Sequence, residues 1–442
     1  MSRAWSKFAP VLSGAWVFGA VASGFCAEEQ PVTQEQLKEL KRQNEALQQQ
    51  LQNQQKLIDQ LSEKVANVQN NSSRENDRSA PDAAPARGLS SLGLGKLHVS
   101  GEGGAAFFHS ESEGPFPNSE FRIDEAKLFI EAPLWKDVYF FSEVNITTRE
   151  STDNFMQIGE LYVDFENLSR FWNRDGWLNL RVGRMDIPFG EEYLTRDAID
   201  NPLISHSLTD IWGVDEGLEI YGCIAKVQYA LAVQNGGHPT LRDFNPDKSI
   251  ALRVGYDPMK RVHLSLSAMR TGALAVYGDG FSELWFGNAF IRSLDNVNAT
   301  SFQANLLEGD VQARWSKGYF KGAGGYVKYN DNGSADLQRE VYYYYLEGVH
   351  HLLPKFYAAG RWSQLFAPNG FPILGNGTWN EYFMGPGSSL TENLWRLSLG
   401  LGYRFNSNLL LKGEYSFNQG KELGGEKRTH ENMVSLEAAF AF

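Results

Sequence analysis

From Lys96 to Phe442 the chain is built of strand-length segments in which apolar and polar residues alternate, and nothing else in the sequence limits its fold as strongly. In the last of them Val434, Leu436, Ala438, Phe440 and Phe442 share one face, and Met433, Ser435, Glu437, Ala439 and Ala441 share the other. Successive side chains of a strand point to opposite faces. A mostly apolar face backed by a polar or small one suits a strand with lipid on one side and water on the other. A second segment sets Trp395, Leu397, Leu399, Leu401, Tyr403 and Phe405 outward, with Arg396, Ser398, Gly400, Gly402 and Arg404 inward. Aromatic rings at both ends of such a row match the two membrane interfaces. A third sets Val262, Leu264, Leu266 and Ala268 against His263, Ser265, Ser267 and Met269. A soluble β-sandwich could alternate in the same way, but it would need neither aromatic ends nor a terminal Phe.

Short connections fall near residues 132–137, 166–176, 225–227, 257–260, 316–318, 351–354 and 406–408. Long ones fall near 109–120, 148–155, 186–216, 236–248, 271–300, 330–340, 366–392 and 418–430. Seven short and eight long connections predict an all-β fold over 96–442, a sixteen-stranded antiparallel transmembrane β-barrel, with fourteen or eighteen strands as the alternatives. Short periplasmic turns and long external loops are the usual asymmetry of such barrels. Both ends of the barrel segment then lie on the periplasmic side. No internal run of eighteen apolar residues offers a spanning helix, so any membrane crossing falls to strands.

Ahead of the barrel, Arg3 and Lys7, the apolar run Phe8 to Ala22 and then Glu28-Glu29 predict a secretory signal peptide over 1–27. Phe25 before Cys26 argues against lipoprotein processing. Leu37, Asn44, Leu51, Ile58 and Val65 recur every seven residues, interleaved with Leu40, Leu47, Gln54, Leu61 and Val68. This a and d spacing predicts a periplasmic α-helical coiled coil over 28–70, whose seam needs a partner helix. Residues 71–95, rich in Ser, Asn, Asp, Pro and Ala, read as a flexible linker. Cys223 stands alone in a predicted strand, so no intramolecular disulfide is expected. A formal net charge of −12 argues against nucleic-acid binding.

The stretch LNLRVGRMDIPFGEEY, Leu178 to Tyr193, resembles a recurring segment of the phosphate-selective porin O and P family, in which a V-G-R strand leads into I-P-F-G. That resemblance, looser over the rest of 96–442, implies a trimeric sixteen-stranded channel of the outer membrane with its third loop folded into the lumen. Phosphate-specific members are rich in lumenal Arg and Lys, whereas this chain is acidic, so phosphate selectivity is not carried across.

By count, the third external loop is 186–216, with Pro188, Gly190, Pro202 and Gly213 as breakers. It holds Glu191, Glu192, Asp197, Asp200, Asp210, Asp215 and Glu216 against the single basic Arg196, and is the candidate constriction; the alternative is a solvated surface loop. Alternation points Arg181, Arg253, Arg314, Arg361, Arg396, Arg404 and Lys412 into the lumen as pore-lining candidates. Set opposite an acidic loop, these cations would create a transverse field across the pore. They could instead pair with Glu308, Asp310, Glu347 and Glu414. A barrel lipase would need Ser and His held together, and the nearest pair, in Ser205-His206-Ser207, lies in the loop. His350-His351 has no third ligand at metal spacing. No pattern calls for a cofactor, a metal or a catalytic residue. The expected function is a passive, water-filled channel for small hydrophilic solutes or ions, self-associating in outer-membrane lipid, with peptidoglycan as a possible contact of the coiled coil. The alternative is a structural anchor whose coiled coil tethers the envelope.

Overall fold

The computed structural model describes residues 97–114, 116–147, 156–236, 243, 246–275, 301–331, 339–371 and 391–442. The expected signal peptide, coiled coil and linker lie outside the described residues. The strands, in chain order, begin with β1 (His98–Ser110), β2 (Glu120–Trp135), β3 (Val138–Thr147), β4 (Gln157–Phe165), β5 (Asn179–Asp186) and β6 (Val214–Ile224). They continue with β7 (Val227–Gln234), β8 (Ser249–Met259), β9 (Val262–Arg270), β10 (Leu274–Ala275), β11 (Ser301–Trp315) and β12 (Gly318–Asp331). The last are β13 (Arg339–Leu353), β14 (Phe356–Phe371), β15 (Thr391–Asn406), β16 (Leu409–Glu422), β17 (Lys427–Arg428) and β18 (Met433–Ala441).

The two-residue pieces β10 and β17 only extend loops, pairing with β11 and β16. The sixteen long strands form the wall. β9 pairs directly with β11, β16 with β18, and β1 with both β2 and β18, so the sheet closes on itself. Closure matters in lipid. It leaves no edge whose N–H and C=O groups would face hydrocarbon unpaired.

The facing of each strand follows its alternation. On β15, Leu399 and Leu401 are 49% and 52% exposed on the outer wall, while Arg396 and Ser398 on the other face are 2% and 0% exposed. The outer wall carries its rings in rows: Trp362 stacks on Trp395 at 4.8 Å, and Tyr403 meets Phe405 edge-on at 4.8 Å. The tyrosine run splits as alternation requires, with Tyr343 and Tyr345 buried inside and Tyr342 and Tyr344 on the opposite face. An arginine at an outward mid-strand site must leave lipid or drag water in. Leu399→Arg is expected to cost about 2–4 kcal/mol of barrel stability, read as a lowered urea midpoint in detergent.

Most short connections are two-residue turns, with Asp137 and Ala225 at φ 58° and 57°. Residues 166–178 are longer and hold the 3-10 turn Leu168–Trp172. Ser169 Oγ braces that connection by accepting the Trp177 and Leu178 N–H groups at 3.1 and 3.2 Å. Gly183, the glycine of V-G-R, sits at φ 141°, and a Cβ there would lie 2.3 Å from the Leu161 carbonyl oxygen. That close approach of β5 to β4 leaves no room for a side chain. Gly183→Val is expected to block folding of the barrel, seen as loss of the fast-migrating unheated band on electrophoresis.

Candidate functional site

At the end of β5 the register runs Arg184↔Glu216, Met185↔Asp215 and Asp186↔Val214. The third loop is therefore Ile187–Gly213, closed by Ile187 N–H donating to Gly213 O at 2.8 Å. The expected bounds, 186–216, are corrected at the far end. Asp215 and Glu216 are strand residues of β6, because the ladder continues past them.

Pro188 and Gly190 turn the chain at the start of the loop; Gly190 adopts φ 69°, and a Cβ there would meet Glu308 Oε1 at 2.3 Å. The loop then presses apolar side chains onto the inner wall. Ala198, Ile199 and Leu203 cluster with Val349, Tyr357, Ala359, Leu410 and Ala439. Ile204 packs with Ala106, Phe108 and Met433. Leu203 and Ile204 are each 1% exposed, a burial that a loop lying in solvent would not give them.

Polar groups fix the same contact. Lys412 Nζ donates to Ala198 O at 2.7 Å, Leu203 O at 2.9 Å and Asn201 O at 3.3 Å, and pairs with Glu437 at 2.6 Å. Arg361 Nη1 donates to Ser205 O at 2.6 Å and Nη2 to Asn201 Oδ1 at 3.0 Å, while Nε bonds Glu347 at 2.9 Å. Arg396 Nη1 reaches His206 O at 3.1 Å and its Nε reaches Asn418 at 2.7 Å. Arg404 Nη2 reaches Ile199 O at 2.8 Å. Glu414 accepts the Ile204 and Ser205 N–H groups at 2.6 and 2.8 Å, and also the Ser205 hydroxyl. Loop carbonyls that would otherwise be buried without donors are thus met by charged ones, the stronger kind of bond.

This arrangement corrects the expected transverse field. Five of the seven inward cations, Arg253, Arg361, Arg396, Arg404 and Lys412, do not stand across a gap from the loop: they touch its backbone. Pairing with the named acids is also partial, since Arg361 meets Glu347 but Glu414 serves the loop.

The loop acids are bound locally as well. Asp197 pairs with Lys127 of β2, which also meets Glu125 at 2.8 Å and Glu102 at 3.9 Å. Burial pushes the Asp197 carboxyl up, but Lys127 outweighs it and leaves the group below its ordinary range. Glu192 accepts Ser207 N–H at 2.9 Å and the Ser207 hydroxyl at 2.5 Å; burial, then the nearby Asp210, raise its pKa. Asp210 pairs with Arg196 at 3.1 Å, and Arg196 lies 4.3 Å over the Trp212 ring. Glu191 meets His263 at 2.8 Å, and His263 also meets Asp257 at 2.7 Å. Asp215 accepts from Gly236 N–H at 2.5 Å, and Glu216 pairs with Arg184 at 3.0 Å. Asp200 is exposed, its pKa raised by partial burial and then by Asp197.

Arg181, Arg253 and Arg314 lie away from the Arg361, Arg396, Arg404 and Lys412 group. Arg181 pairs with Asp164 at 2.9 Å and Glu219 at 3.2 Å, between the rings of Tyr221 at 4.4 Å and Tyr162 at 5.0 Å. Arg253 donates to Gly190 O at 3.2 Å and to the Tyr193 hydroxyl at 2.8 Å. Arg314 is exposed at the short-turn end of β11 and bonds Gln312 at 3.0 Å. Of the loop's Ser and His, Ser205 Oγ meets Glu414 and Ser398, while His206 meets Arg196. Cys223 is exposed near a short turn, with its sulfur 3.7 Å from Ala225 O. Beside the loop, between it and β4–β8, lies a cavity of about 460 Å³ lined by Tyr162, Arg181, Tyr193, Glu219 and Arg253 among others.

Several residues of this site escape a reading of the sequence. Lys127 does so because β1 and β2 shift register between Gly104 and Ala105, which flips the parity of β2: Asp124 and Lys127 are both buried. Glu414 was legible as an inward acid but not as the acceptor that holds Ile204 and Ser205.

No family model matches the sequence, and no curated protein does. Solved structures do match. The outer membrane channel DcaP of Acinetobacter baumannii is similar with a TM-score of 0.52 at 13% identity, over 78% of this chain and 97% of that one. OprB of Pseudomonas putida gives 0.51 at 10%, over 80% and 96%. An anion-selective porin from Comamonas acidovorans gives 0.50 at 10%, over 78% and 99%. At such identities the likeness is one of fold: the described barrel has the architecture of the outer-membrane porins.

Proposed function

We propose that this chain is a passive outer-membrane channel for small hydrophilic solutes or ions, with the loop at Ile187–Gly213 as its constriction. The observation that carries this is the clamped loop within a closed sixteen-stranded wall. A barrel of this strand number encloses an aqueous lumen, and a loop bound to the wall inside that lumen narrows it. The architecture shared with porins supports the same conclusion. Transport is downhill.

The finer assignments belong to the same proposal. Short turns face the periplasm, residues 28–70 form a periplasmic coiled coil, and 71–95 link it to the barrel. Protomers associate as a trimer, and the coiled coil joins them or reaches peptidoglycan. Membership of the phosphate-selective porin O and P family rests on Leu178 to Tyr193. Phosphate selectivity does not follow from it, because Arg361, Arg396, Arg404 and Lys412 are occupied by loop carbonyls. Reconstituted vesicles are expected to swell in solutions of small sugars at rates that fall steeply with sugar size. Vesicles that do not swell would favour the alternative of an anchor whose coiled coil tethers the envelope.

A further inference from the structure

The cavity of about 460 Å³ between the loop and β4–β8 is lined both by ion-paired charges and by charges without a close ion pair. Arg181 is matched by Asp164 and Glu219, and Glu191 is matched by His263. Arg253 forms no close ion pair among the described residues, although Glu219 and Asp310 act on its charge through space. Its bonds go to two uncharged acceptors, Gly190 O and the Tyr193 hydroxyl, both through Nη1, which leaves Nη2 without a hydrogen bond among the described residues. Glu160 and Asp186, on adjacent strands, face the opposite problem. The Glu160 carboxylate accepts one bond, from Asp186 N–H at 3.0 Å, and neither carboxyl group forms a close ion pair among the described residues, although Arg181 acts on Glu160, and Lys127 and Arg196 on Asp186, through space. Arg253, Tyr193, Glu160 and Asp186 all line this cavity, so the two ends without a close ion pair belong to one space. The walls of that space are rings: Tyr162, Tyr193, Tyr221 and Tyr229.

We propose that this cavity binds a zwitterionic solute of the amino-acid type, with its carboxylate on Arg253, its ammonium between Glu160 and Asp186, and its side chain against the tyrosine rings. A guanidinium with a free edge is suited to take a carboxylate in two parallel bonds. Two neighbouring carboxylates repel each other, and an ammonium placed between them relieves that repulsion. A simple anion would satisfy Arg253 but would meet the acids, and a simple cation would meet Arg253. The volume falls within the range of small-molecule sites, about 300–1,000 Å³. The inference deepens the channel proposal, since a solute would reach this cavity through a wet lumen.

Equilibrium dialysis on the detergent-solubilised full chain tests it with three labelled probes that share a ring: L-phenylalanine, phenethylamine and 3-phenylpropionate. Phenylalanine is expected to bind about tenfold tighter than either single-charge analogue, as the loss of one charge-assisted contact implies. Arg253→Gln should bring phenylalanine down to the level of phenethylamine. The double change Glu160→Gln with Asp186→Asn should bring it down to that of 3-phenylpropionate. Equal binding of all three probes, no binding of any, or binding that follows the carboxylate alone would overturn the site. The comparison on the unaltered protein stands even if a variant fails to fold. Conductance is measured separately: a protein that binds phenylalanine but passes no current refutes the channel and keeps the site, and the reverse result refutes the site alone.

Discussion

Arg361→Met is expected to lower stability by about 3–5 kcal/mol, because it removes one partner of a buried ion pair and strands the other. Arg361 and Glu347 are 4% and 2% exposed, and Arg361 Nη2 lies 2.5 Å from Glu347 Oε2. The same guanidinium donates to Ser205 O and Asn201 Oδ1, so its loss also leaves loop groups without donors. Two readouts separate these effects. The urea midpoint reports the stranded Glu347, and proteolysis between Ala198 and Leu208 reports release of the loop. The double variant Arg361→Met with Glu347→Gln should recover much of the stability, since no buried charge is then left alone, but not the loop's resistance to protease. A double variant that regained both would mean that the loop is held by its apolar contacts alone.

Replacing Glu191 to Ile211 with a short Gly-Ser linker is expected to raise single-channel conductance severalfold while the barrel still folds. The wall closes through strand pairs that do not include the loop, so its hydrogen-bonded ladder survives the deletion. Inward Arg361, Arg396, Arg404 and Lys412 would then face water. Freed from loop carbonyls and set against fewer acids, they should shift ion preference toward anions. The paired prediction is informative because size and sign move together only if the loop both fills the lumen and occupies those cations. A deletion that left conductance unchanged would place the loop outside the conducting path.

The wall was readable because a barrel strand in lipid has two solvents, and each leaves its mark every second residue. Leu399 and Leu401 outward, with Arg396 and Ser398 inward, follow from that rule alone, as do sixteen strands from the rhythm of short and long connections. The rule fails at irregularities. Where β1 and β2 shift register, Lys127 changes face without any sign in the pattern. It was also silent about depth. Alternation brings Arg314 and Arg361 to the same lumenal face, yet Arg314 lies exposed at the rim and Arg361 is buried under the loop. The docking of the loop was the least legible feature. Its acids suggested a charged constriction facing the wall cations across the pore, whereas Ile199, Leu203, Ile204 and Leu208 supply the apolar contact and the backbone carbonyls supply the polar one. Backbone acceptors look alike in every sequence. The arginines were therefore visible, but not what they would bind.

The central claim is an open aqueous path beside a clamped loop. Single-channel recording in planar bilayers, on purified protein lacking residues 28–90, tests it most directly. Stable, repeatable current steps that enlarge when Glu191 to Ile211 is replaced are the predicted result. A folded, inserted barrel that passes no current with or without the loop would contradict it.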